Sequence, residues 1–129
     1  MSCLFQSLSA FIQGTDAATL RHLLADYLAK NPILYDTEKI SDIVQWEEGR
    51  PTLEQYVSRM RLQSTWGGAI EIKAFCDLFK AEVSVLVLRD QKMVEFKPSS
   101  SSDSASSPAF RFTISWNGFH YEPVFPQTT

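Results

Sequence analysis

Phe110-Arg111-Phe112-Thr113-Ile114-Ser115-Trp116-Asn117-Gly118-Phe119-His120-Tyr121 is the stretch from which the rest of the chain can be read. From Phe110 to Trp116, bulky apolar residues alternate with polar ones, the period of a strand with one face buried. Asn117-Gly118 then marks a hairpin turn, since both residue types tolerate positive φ. The return strand, Phe119 to Phe125, contains Pro123, which cannot donate to a ladder and so predicts an edge or a bulge. Upstream, the Ser-rich tract Ser99 to Ser107 is too polar and too simple to pack, and predicts a flexible loop. Met93 to Lys97 predicts a short strand. Glu82 to Arg89, nearly continuous in β-branched and aliphatic residues, predicts a central strand buried on both faces.

Everything before Glu82 reads as helix. Leu4, Leu8, Phe11 and Ile12 have helical spacing over residues 3–13, and Gly14 is a natural stop. A second helix runs from about Asp16 to Ala29, capped by Thr15 or Asp16, with a stripe of Leu20, Leu23, Leu24, Tyr27 and Leu28. Asn31-Pro32 ends it. A short third helix follows Asp36 or Thr37 and buries Ile40, Ile43 and Val44. Thr52 and Gln55 fit a capping box opening a helix that buries Leu53, Tyr56, Val57 and Met60. Gly67-Gly68 precedes a last helix, Ala69 to Phe79, with Ile72, Phe75, Cys76 and Phe79 inward. Helices first and strands afterwards predict an α+β domain, a small mostly antiparallel sheet packed against several helices.

The 129 residues suit one domain, 1–129, with a single core. A net charge of −3 provides no basic field for nucleic acid or anionic membrane. No apolar run approaches the ~20 residues of a membrane span, and the opening residues lack the basic region of a signal peptide. Two cysteines are too few for a disulfide scaffold, so a reducing cytoplasm, or the nucleus, is the expected location. No Cys or His pair has metal-ligand spacing, and there is no phosphate loop or dinucleotide fingerprint. No metal and no cofactor are expected, and a monomer is.

Cys3 opens the first predicted helix, where unpaired N–H groups favour a thiolate. Two readings fit: a nucleophile, or a packed or surface thiol. Cys76, on an apolar helix face, reads as core. His22 reads as a solvated helix residue. His120 follows the turn, and Glu122, two residues on, projects from the same strand face with Cα atoms roughly 6.5–7 Å apart. The pair could form a base and its orienting carboxylate, or simply an exposed edge. Trp66-Gly67-Gly68 is either a relaxed loop or a place where another extended chain passes close to the backbone.

Taken in order, these residues resemble the ovarian-tumour (OTU) family of cysteine proteases over nearly the whole chain, Cys3 to Val124. Ser2-Cys3-Leu4-Phe5 is similar to the family's nucleophile motif Asp-Gly-Asn-Cys-Leu-Phe. Leu20-Arg21 is similar to its leucine-arginine step. Tyr56, Met60, Trp66-Gly67-Gly68 and Glu71 match a Tyr…Met…Trp-Gly-Gly…Glu signature, and His120-Tyr121 closes the pattern ahead of Pro123-Val124.

The resemblance implies a papain-related fold and hydrolysis after the C-terminal Gly-Gly of ubiquitin or a ubiquitin-like protein. Cys3 would be the nucleophile, His120 the base, and Glu122 the orienting group, with Trp66, Gly67, Gly68 and Tyr121 binding substrate. Two departures stand out. Met1-Ser2 replaces Asp-Gly-Asn, as in a domain excised from a longer viral polyprotein or multidomain effector. Glu122 stands where the family often has Asp or Asn, which leaves Asn117 as another orienter. The alternatives to a deubiquitinase are a polyprotein-processing protease and a ubiquitin-binding module with impaired catalysis.

Overall fold

The computed structural model describes residues 3–35, 38–47, 49–62, 65–98 and 110–124. Met1, Ser2, the Ser99–Ser107 tract and Phe125 lie outside the described residues. Helix α1 (Cys3–Ser9) is shorter than its apolar spacing predicts, and Phe11 and Ile12 follow it in tight turns. Helix α2 (Ala17–Ala29) starts where Asp16 accepts a hydrogen bond from the Thr19 N–H at 2.7 Å. Its stripe is buried except for Leu23, which is exposed, and Tyr27, which is half-buried. Two short strands, β1 (Ile33–Tyr35) and β2 (Glu38–Lys39), pair antiparallel ahead of α3 (Ile40–Val44). Nothing in the composition of those few residues announces this ladder.

Helix α4 (Leu53–Met60) opens with the expected capping box. Thr52 Oγ1 accepts from the Gln55 N–H at 3.2 Å, and Gln55 Oε1 from the Thr52 N–H at 3.0 Å. Helix α5 spans Ala69–Phe79. The four strands β3 (Ala81–Val87), β4 (Lys92–Phe96), β5 (Phe110–Trp116) and β6 (Tyr121–Val124) lie in the order β4-β3-β5-β6. Both outer pairs are antiparallel, whereas β3 and β5 run parallel. The sheet is therefore mixed, with two antiparallel pairings and one parallel, and the α+β class holds.

Strand β3 is central, but it is buried on one face only. Ala81, Val83 and Val85 point inward beside Ile114 of β5, towards α5. The opposite face carries Glu82 and Arg111, whose side chains pair at 3.6 Å. A second buried face would strand those charges. As Pro123 implies, β6 is an edge strand, with β4 at the other edge. The Asn117–His120 connection is four residues long, because the Trp116–Tyr121 pair closes the ladder. Helices α1, α2, α4 and α5 pack together on the inner face, with α1 reaching β6. Phe11 stacks on Phe112 of the sheet at 4.5 Å. No helix among the described residues is long and apolar enough to cross a membrane.

Candidate active site

Cys3 is the first residue of α1 and is half-buried. The next residues explain that position. Leu4, Phe5 and Leu8 are sunk in the core, pinning the helix while its first side chain stays at the surface. Arg21 of α2 reinforces the anchor. Its guanidinium lies 4.3 Å from the centroid of the Phe5 ring, and Nη1 donates to the Met60 carbonyl at 2.8 Å. A cation over an aromatic face, with a bond to the end of α4, ties three helices at one point.

His120 sits at the far end of the chain, exposed, just before β6. Asn117 builds the turn beneath it. Its side-chain oxygen accepts from the N–H groups of Phe119 (2.9 Å) and His120 (2.8 Å), while its own N–H donates to the His120 carbonyl at 3.2 Å. Asn117 thus holds the backbone of His120, with its oxygen committed to that turn. Gly118 has φ +104°, a conformation side chains other than Asn and Asp rarely take. Tyr121 is half-buried and stacks on Trp116 at 6.1 Å. Burial pushes its phenol above the ordinary value, and the charges of Cys3 and Glu71 push the same way.

Trp66-Gly67 lies between these two parts of the chain. A Cβ on Gly67 would come within 2.7 Å of Leu4 Cδ2 and 3.0 Å of Phe5 Cε2. The missing side chain at Gly67 therefore admits the core residues that follow Cys3, rather than an incoming chain. Trp66 is half exposed, and its ring centroid is 6.4 Å from that of His120. Gly68 is extended and has open space where a side chain would go. Trp66 and Gly67, with Gly118, Phe119, Trp116 and Tyr121, line a groove of about 320 Å³ beside His120. Phe119, 71% exposed, forms part of its wall. A second cleft of about 280 Å³ lies on the α4 side of the same segment, reaching down to Tyr56 and Glu71.

The structure thus gathers the Cys3 end of α1, Trp66-Gly67 and the His120–Tyr121 turn from three remote parts of the sequence. Glu122 stands apart. It is exposed on the outer face of β6 across from Ser115, and no hydrogen bond among the described residues joins it to His120. Cys76 is fully buried, its thiol pushed up to about 12 chiefly by desolvation, with Sγ 3.5 Å from the Phe96 carbonyl. His22 is exposed. No group of three potential ligands among the described residues is arranged for a metal. Sequence reasoning missed Phe119 and Trp116 as groove walls. Their apolar alternation signalled only a strand, and no spacing rule places two strand ends beside residue 66.

Comparison with known proteins is consistent with this arrangement. The family profile of OTU-like cysteine proteases matches residues 2–118. Ubiquitin thioesterase OTU1 of Mus musculus is 27% identical over 128 residues, covering 95% of this chain and 33% of that protein. Ubiquitin thioesterase OTU1 of Homo sapiens is 25% identical, covering 95% and 32%. The chain spans about a third of the length of these curated relatives. Among solved structures, an ovarian tumour domain in complex with ubiquitin superposes with a TM-score of 0.70 at 23% identity, covering 95% of this chain and 62% of that one. An OTU deubiquitinase from Wolbachia pipientis wMel bound to ubiquitin gives 0.66 at 20%, covering 96% and 89%.

Proposed function

This chain belongs to the OTU-like cysteine protease family, and from that premise we propose that it hydrolyses isopeptide or peptide bonds after the C-terminal Gly-Gly of ubiquitin or a ubiquitin-like modifier. Cys3 is the nucleophile in this reading. His120 takes the thiol proton, and the thiolate adds to the terminal glycine carbonyl. The tetrahedral oxyanion is held by backbone N–H groups beside the thiol, that of Cys3 among them. His120 then protonates the leaving lysine amine as the C–N bond breaks and a thioester remains. Water, deprotonated by the same imidazole, releases the glycine carboxylate and restores the thiol.

The observation that carries this reading is Trp66-Gly67, packed on the residue after Cys3 on one side and facing the His120 ring on the other. The groove between Trp66 and Phe119 is largely apolar, suited to a tail without side chains at the scissile end. Tyr121 lines it as well, and Gly68, with no side chain, lines the neighbouring cleft on the α4 side. Glu122 is assigned to orient the imidazole, reaching it by side-chain rotation once substrate is bound, since catalytic contacts often tighten only in the complex. A cytoplasmic setting keeps Cys3 reduced.

A fluorogenic amide of the ubiquitin C-terminus tests the assignment. Cys3→Ala lowers turnover by a factor on the order of 10⁴ or more, while Cys76→Ala, altering a buried thiol held at about 12, retains it. Ubiquitin binding without turnover in the intact chain would favour a binding module instead. Cleavage that survives Cys3→Ala would remove the thiol mechanism.

A further inference from the structure

Glu71 is a buried carboxylate to which the proposed chemistry assigns no part, although only 1% of its surface is exposed. It sits in the first turn of α5 and bonds in two directions. Oε1 accepts from the Gly68 N–H at 2.7 Å, and Oε2 from the Tyr56 hydroxyl at 2.5 Å. One oxygen therefore holds the segment that carries Trp66 and Gly67, and the other ties that segment to α4. Gly67 in turn backs onto Leu4 and Phe5, the residues that seat Cys3. A chain of contacts leads from one carboxylate to the position of the thiol and, through Trp66, to the ring of His120.

We propose that Glu71 is a positioning residue, whose charged carboxylate holds the Trp66-Gly67-Gly68 segment against the Cys3 helix and thereby tightens the active site. This deepens the reading above and rests on it for the identity of the substrate. Charge matters because a bond from a backbone N–H to a carboxylate is roughly twice as strong as one to a neutral oxygen. The charge is also conditional. Desolvation raises the Glu71 carboxyl to about 7, opposed by the Tyr56 and Gly68 hydrogen bonds and assisted by Glu47. Five elements present the groups that face it. Tyr56 comes from α4, Gly68 from the start of α5, Glu47 from the turn after α3, Arg21 from α2 and Tyr121 from β6. Arg59 lines the same cleft. Within the folded state the bond from the Gly68 N–H therefore strengthens as pH rises through neutrality, while the same buried charge lowers the stability of the fold as a whole.

Glu71→Gln separates position from charge, since the amide keeps an acceptor for Gly68 and a partner for Tyr56 but cannot ionise. The turnover of wild type relative to Glu71→Gln should be near one at pH 5.5. It should rise to about tenfold by pH 8.5, the factor that one pKa unit of differential interaction represents, with KM unchanged. In Tyr56→Phe the rise moves to higher pH, because a bond favouring the charged form is gone. The same ratios are read from the rate at which iodoacetamide alkylates Cys3, followed by mass spectrometry, so the result does not require ubiquitin to be the substrate. A wild-type to Glu71→Gln ratio independent of pH in both assays, with both proteins folded by circular dichroism, overturns the proposal. Loss of ubiquitin turnover alone, with the alkylation ratio rising as expected, overturns only the substrate assignment.

Discussion

At the scale of single residues, Gly67 and Gly68 look alike in sequence and differ in what surrounds them. A methyl group on Gly67 meets Leu4 Cδ2 at 2.7 Å, so the end of a core side chain must give way. Gly67→Ala should destabilise the fold by about 1–3 kcal/mol, the usual cost of overpacking, as read by urea unfolding, and should slow turnover because α1 shifts with Leu4. Gly68→Ala meets nothing nearer than Glu71 Oε1 at 4.0 Å and keeps an extended backbone. Its stability should match wild type, and any loss of activity would then report on substrate passing the α4-side cleft that Gly68 lines. Asn117 offers a third test. Asn117→Ala removes two side-chain acceptances on the His120 turn, costing about 1 kcal/mol and lowering kcat through a misplaced imidazole. Wild-type turnover in that variant would show that the turn holds His120 without it.

Elements were legible where local chemistry decides them. The capping box of Thr52 and Gln55, the Asp16 cap and the limits of α5 were readable because each depends on residues three or four apart. Thr52→Ala should therefore cost about 1 kcal/mol in thermal stability. It should leave turnover intact, since the start of α4 is solvent-exposed and carries none of the proposed catalytic side chains. A turnover loss there would tie α4 to the site more tightly than the Tyr56 bond alone implies. The early end of α1 and the β1–β2 ladder were not legible. Phe11 leaves the helical path because Phe112, a hundred residues away, offers it a stacking partner. No window of local sequence contains that competitor.

The whole molecule bears the cost of one buried acid, and that cost depends on pH. Glu71 titrates near its ordinary value of 4.5 when unfolded and at about 7 when folded, so the native state holds the extra proton between those values. The stability this contributes is complete below about pH 4.5 and is lost as pH rises through 7. Relative to Glu71→Gln, the wild type should lose stability on the order of 3 kcal/mol between pH 5 and pH 8, measured by denaturant unfolding at each pH. Parallel curves for the two proteins would mean that Glu71 is already charged at pH 5. By itself, the order of residues determined the α+β class, most helix limits and the edge position of β6, all consequences of short-range periodicity, capping and the missing N–H of Pro123. It also marked Cys3, Trp66-Gly67-Gly68 and His120-Tyr121 as belonging together, through resemblance. Only the tertiary structure decided which face of β3 is dry, why Gly67 has no side chain, and that Trp66-Gly67 lies between the Cys3 helix, against Gly67, and His120, beside Trp66. Those are contacts between residues tens of positions apart, and packing in three dimensions, not spacing along the chain, selects them.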